Sequence, residues 1–192
     1  MMNTRPPMTP QHESLLWELA DRFFADRHVR YEATPQVQID TIRSILSDFD
    51  AIEAQHLPDQ IYTHKRLNLL DAALEILFTS PEAVDQASTW ALAFAADGLP
   101  RIPKRFAKST PFGAACTQLW IRAHEAIYRF HPQREPRWDE AFQQFEAAVQ
   151  RVHQSPRTHS EGSLISAKPH VELFKLGQSM PWMTVVDLHS SR

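Results

Sequence analysis

The sequence predicts an all-α fold: about six antiparallel helices, arranged as a bundle or a short stack of helical hairpins. Three observations carry that prediction. Six prolines, at positions 10, 35, 58, 81, 111 and 136, lie 25, 23, 23, 30 and 25 residues apart, which is helix-plus-turn spacing. Between them apolar residues recur every three to four positions, the period of an amphipathic helix. The 192 residues include 14 Pro but only 4 Gly. Tight β-hairpins need residues with φ > 0, usually Asn-Gly or Asp-Gly, and this chain has little such material.

The proline contexts set the helix starts. Thr9-Pro10, Thr34-Pro35, Ser80-Pro81 and Thr110-Pro111 each place a capping hydroxyl before a proline at the first helical position. There the missing N–H costs nothing and the fixed φ suits the helix. Pro58-Asp59 and Glu135-Pro136 start two more. The first helix, over about 10–26, sets Leu15/Leu16, Leu19/Ala20 and Phe23/Phe24 on one face. The second, about 35–55, reads Ile39, Ile42, Ile45/Leu46, Phe49, Ile52. The third, about 59–78, carries Leu67, Leu70, Leu74 and Leu77. The fourth, about 81–97, is nearly all apolar from Trp90 to Ala96 and stops at Gly98 with Pro100 beyond. Thr79-Ser80 leaves almost no loop, so the third and fourth helices are expected to pair as a central hairpin. The fifth, about 111–130, uses Ala115, Leu119, Ala123, Ile127 and Phe130; the sixth, about 136–153, uses Trp138, Phe142, Phe145, Val149 and Val152.

After Pro156 the pattern changes. Residues 155–169 are rich in Ser, His, Pro and Gly, and two short apolar runs follow, Val171–Leu176 and Thr184–Leu188. They read as two short strands or an extended arm that packs on the bundle or on another chain. The expected organisation is therefore a disordered N-terminus over 1–8, one helical domain over 9–154, and a polar linker with a C-terminal arm over 155–192.

The stretch Arg137-Trp138-Asp139-Glu140-Ala141-Phe142-Gln143-Gln144-Phe145-Glu146-Ala147-Ala148-Val149 resembles the second helix of a tetratricopeptide repeat. The resemblance covers one helix of six. The preceding helix departs from the family, with His124 where Gly is usual and a turn several residues too long, so the stretch is read as a generic amphipathic helix.

Composition removes several classes of chemistry. The four glycines, Gly98, Gly113, Gly162 and Gly177, are scattered, whereas phosphate-cradling and dinucleotide-binding loops need clustered ones. The single Cys116 cannot form an internal disulfide. The start, MMNTRPPMTP, lacks the apolar run of a secretory signal, and Trp90–Ala96 is too short to cross a bilayer. A soluble cytoplasmic protein is expected, with no membrane association. The net charge of −3 hides a split: residues 1–100 hold 7 Lys/Arg against 15 Asp/Glu, and residues 101–192 hold 13 against 8.

Ten histidines make metal sites the first thing to test. Glu53-x-x-His56 is half of a carboxylate-bridged dimetal motif, but no second Glu-x-x-His faces it. His64, Asn68, Asp71 and Glu75 step by 4, 3 and 4 along the third helix. That stripe is read as the water-facing side of an amphipathic helix, not as ligands or bases. Cys116, one turn before Leu119/Trp120, is read as a small buried hydrophobe. No His-Glu-x-x-His, Cys-x-x-Cys or Gly-x-Ser-x-Gly occurs. The expectation is no enzyme, no catalytic residue, no metal and no cofactor.

The most distinctive stretch is the basic loop 99–112, where Arg101, Lys104, Arg105 and Lys108 alternate with Ile102, Phe106 and Phe112 between prolines. Cations at this spacing can meet phosphates or an acidic protein, and Phe106 can stack on a base; the bland reading is a loop pinned to the core by its apolar residues. Trp17, Trp90, Trp120 and Trp138 fall on apolar faces and are assigned to the core. Trp182, between Pro181 and Met183, is the candidate anchor for a partner groove. The function expected is a non-enzymatic helical scaffold or adaptor that binds another protein, as a subunit of a larger assembly. The alternative is a helical subunit that binds nucleic acid through the basic loop.

Overall fold

Helix formation follows the proline punctuation closely in the computed structural model, which describes residues 5–103, 111–155 and 168–185. All regular structure among the described residues is helical. The helices are α1 (Pro10–Phe24), α2 (Pro35–Gln55), α3 (Gln60–Thr79), α4 (Ala87–Gly98), α5 (Pro111–Phe130), α6 (Arg137–Gln154) and α7 (Lys168–Gln178). Where the sequence reading has one helical domain, contacts divide the chain into two compact units, Met1–Ala87 and Ser88–Arg192. The boundary falls where a central hairpin of the third and fourth helices was expected.

In the first unit α1, α2 and α3 pack pairwise against one another. Leu16, Ala20 and Phe23 from α1 meet Ile39, Ile42, Ile45 and Phe49 from α2 and Leu67, Leu70, Leu74 and Leu77 from α3, all buried. Each such Leu, Ile or Phe side chain contributes about 1.5–3 kcal/mol by leaving water. The caps are local. Asp59 accepts from the Tyr62 N–H at 2.7 Å, and Thr34 accepts from Val37 N–H at 3.4 Å. At α1, the Thr9 N–H donates to His12 Nδ1 at 3.1 Å, so an imidazole takes the part usually played by Glu or Gln in a capping box. Residues 5–8, expected to be disordered, run beside the end of α2: the Leu57 N–H donates to Pro6 O at 2.9 Å.

A polar clamp joins α2 to α3. Arg66 is buried, and its Nη1 lies 2.7 Å from Asp50 Oδ1 while donating to the Tyr62 hydroxyl at 2.9 Å. That hydroxyl donates in turn to Glu53 Oε2 at 2.9 Å.

The segment between α1 and α2 is a π turn, His28–Glu32, closed by the Ala33 N–H donating to His28 O at 2.9 Å. It was not foreseen, because five residues are too few to show a period. The fourth helix also begins later than expected. Pro81 opens a short 3₁₀ turn, buried Val84 is extended, and Gln86 takes φ 57° before α4 begins. Extended Val84 and left-handed Gln86 together break the helical path between Ser80 and Ala87.

In the second unit α5, α6 and α7 pack together around a core that includes Trp120, Trp138, Phe145 and Trp182. The first of the two apolar runs corrects the strand reading, because Val171–Leu176 lies inside α7; most of the second, 186–188, lies outside the described residues. A short apolar run fits either period. Here helical spacing wins because it presents Leu173, Phe174 and Gly177 to one side, with Leu173 and Gly177 buried. Gly177 sits where α7 crosses α5: a Cβ there would come within 2.7 Å of His124 Nε2 and of the Trp120 ring.

Candidate functional site

The residues singled out in the sequence separate clearly. Arg101 is drawn back onto α4, its Nε 2.7 Å from Asp97 Oδ1 with both side chains largely covered. Lys104, Arg105, Phe106 and Lys108 lie outside the described residues, so the basic loop contributes no described phosphate-binding geometry. Trp182, expected as a partner anchor, is fully buried, and its indole N–H donates to His124 Nδ1 at 2.9 Å. The described part of the arm, 168–185, therefore packs on its own unit. Trp17 makes the opposite correction: it is 52% exposed. One residue beyond Leu16 turns it about 100° off the buried stripe. Its ring covers the amine of Lys65, whose Nζ lies 2.8 Å from the ring centroid, and burial pushes that amine below its ordinary pKa.

The two members of Glu53-x-x-His56 face different neighbours. Glu53 receives the Tyr62 hydroxyl, while the His56 ring lies tilted against that of His12, 3.9 Å between ring centres. Among the described residues no group of three or more His, Cys, Asp or Glu could hold a metal ion. Burial pushes the Cys116 thiol up to about 12, far from reactive thiolate. No described helix is long and apolar enough to cross a membrane.

The α3 stripe, read from sequence as a plain water-facing side, has a place in the fold. Asn68, Asp71 and Glu75 form one wall of a cleft of about 460 Å³ in the first unit. Opposite stand Phe23 and Phe24 at the end of α1, and Arg30 and Tyr31 from the π turn. His64, at the head of the stripe, lies within 3.1 Å of Asn68, and burial together with the neighbouring Lys65 charge lowers its pKa.

The π turn is held from three sides. Asp26 Oδ1 accepts from the N–H groups of His28 (2.9 Å) and Val29 (3.1 Å). Gln38 Nε2 donates to the carbonyls of Val29 (3.2 Å) and Arg30 (2.7 Å). His28 Nδ1 lies 2.8 Å from Glu32 Oε2, and that hydrogen bond and charge raise the His28 pKa. These ties leave the side chains of Arg30 and Tyr31 projecting. Tyr31 is 68% exposed, and the Arg30 guanidinium lies 5.7 Å from the Phe24 ring centre and 5.2 Å from that of Tyr31. A cation–aromatic cluster after Phe24 was the available sequence signal for this wall. It went unread because Phe24, Arg30 and Tyr31 meet only once the π turn folds them back.

The lining mixes Phe23, Phe24 and Ile76 with Arg30, Asn68, Asp71 and Glu75, and the cleft's volume falls within the range of ligand pockets. Compared with known family models, curated proteins and solved structures, the chain matches none of them.

Proposed function

We propose that the protein is a non-catalytic helical binding module, an adaptor or a subunit of a larger assembly, that docks a segment of another protein in the cleft of its first unit. One observation carries this reading: the α3 stripe and the exposed Arg30–Tyr31 pair open into one cleft over Phe23 and Phe24. Rigid aromatics beside polar groups are the usual anchors of protein recognition. A volume of about 460 Å³ suits one or two inserted side chains, not a folded domain.

The test is site-specific photo-crosslinking. A photoreactive phenylalanine at position 31 is expected to capture a discrete partner in the native host. Ala72→Trp, which fills the cleft, is expected to abolish capture while circular dichroism stays unchanged. Capture that survives Ala72→Trp in a folded protein, or no capture at all, overturns the reading.

A further inference from the structure

We infer that Lys65 is a site of covalent modification: its amine, held against the face of Trp17, condenses with a flat, conjugated aldehyde to give an imine that stacks on the indole. Neither residue lines the cleft, so the inference stands apart from the docking reading.

Burial without a paired counter-charge comes first. Lysine is almost never buried unless it is paired, yet Lys65 on α3 is only 8% exposed. Among the described residues its amine makes no hydrogen bond and no ion pair; what it meets is the Trp17 ring, 2.8 Å from Nζ to the ring centre. Burial pushes its pKa below the ordinary lysine value, and the charge of Asp21, one turn after Trp17 on α1, acts against that without reversing it. The neutral amine keeps the lone pair that attacks a carbonyl, and desolvated lysines are the ones suited to imine chemistry.

The cover over the amine is a second, independent observation. Trp17 is half exposed, and among the described residues its indole makes no hydrogen bond and no contact with another aromatic ring. Nothing described pins the indole in place, so it can swing aside to admit a small molecule and close over it. An aromatic face beside the amine favours a planar, conjugated carbonyl compound through offset stacking.

The step needs no redox partner. The nitrogen lone pair bonds to the carbonyl carbon while the C=O π pair moves to oxygen, and a proton passes from nitrogen to that oxygen. The carbinolamine then expels water to leave the C=N bond.

The experiment incubates the full chain with benzaldehyde and cyanoborohydride, which fixes the imine as a benzylamine, and reads each lysine by peptide mass spectrometry from neutral to alkaline pH. Lys168 and Lys175, both exposed on α7, are the internal references. Each unit by which an amine's pKa falls raises its neutral fraction near neutral pH about tenfold. Lys65 is therefore expected to be fixed several-fold faster than Lys168, with its profile displaced to lower pH. Measured against Lys168, benzaldehyde is expected to favour Lys65 more strongly than butanal does. Trp17→Leu is expected to remove that preference and Trp17→Phe to keep it, with circular dichroism unchanged in both. Equal rates and equal pH profiles at Lys65 and Lys168, or no adduct at Lys65, overturn the inference. A benzaldehyde preference that survives Trp17→Leu in a folded protein overturns the part given to the indole.

Discussion

The indole N–H of Trp182 donates to His124 Nδ1 at 2.9 Å, joining two fully buried side chains 58 residues apart in the chain. The bond sets the imidazole tautomer: Nδ1 accepts, so the proton of the neutral ring sits on Nε2. It also ties the turn after α7 to α5. Trp138, at 5.5 Å between ring centres, and Tyr128, at 6.1 Å, complete the enclosure of the indole.

Replacing Trp182 separates its two contributions. Trp182→Phe keeps most of the apolar area but strands His124 Nδ1, and about 1–3 kcal/mol of stability is expected to go. Trp182→Ala adds a cavity, for a total of about 3–5 kcal/mol. Urea unfolding followed by circular dichroism measures both, and an unchanged stability of Trp182→Phe would show that the hydrogen bond adds nothing.

Acid is expected to weaken the second unit through His124. Burial lowers its pKa from 6.5 to about 3. Between those values the unfolded chain binds the proton and the folded one does not, so stability falls as pH drops below about 6.5, by at most ~1.4 kcal/mol per unit. Unfolding midpoints at pH 7 and pH 5 test this. His124→Leu is expected to be less stable at pH 7 yet to lose less between the two values.

At Gly177 the steric limit is set by rigid rings. An added Cβ would press on the Trp120 indole and on His124, neither of which can turn aside as a flexible chain end could. Gly177→Ala is expected to cost about 1–3 kcal/mol by overpacking. Gly98→Ala, which meets only the tip of Leu119, is expected to cost less. Thermal unfolding of the two variants side by side decides the order.

Asp59 caps α3 through a 2.7 Å hydrogen bond from the Tyr62 N–H. Asp59→Ala is expected to lose about 1 kcal/mol, and Asp59→Asn to recover most of it. Tyr62 also receives Arg66 Nη1. Hydrogen exchange is therefore expected to rise at the start of α3 in the Ala variant, and unchanged exchange there would count against the cap.

The helices were legible because their signals are local. A hydroxyl before a proline and a 3.6-residue apolar period act within one or two turns, and α2 begins and ends where they place it. What sequence could not decide depended on which faces meet. Leu16 and Trp17 are neighbours on α1, yet one is sealed and the other half open. Trp182 looked like an anchor in a polar tail until α7 carried it into the aromatic core. The stripe Asn68, Asp71, Glu75 was plain in the sequence, but the wall opposite it was not. Periodicity reports that a helix has two sides; only packing decides what each side faces. Local hydrogen bonding and proline sterics set the helices of this chain, whereas the cleft arises where α1, the π turn and α3 come together, with lining residues from Phe23 to Ser80.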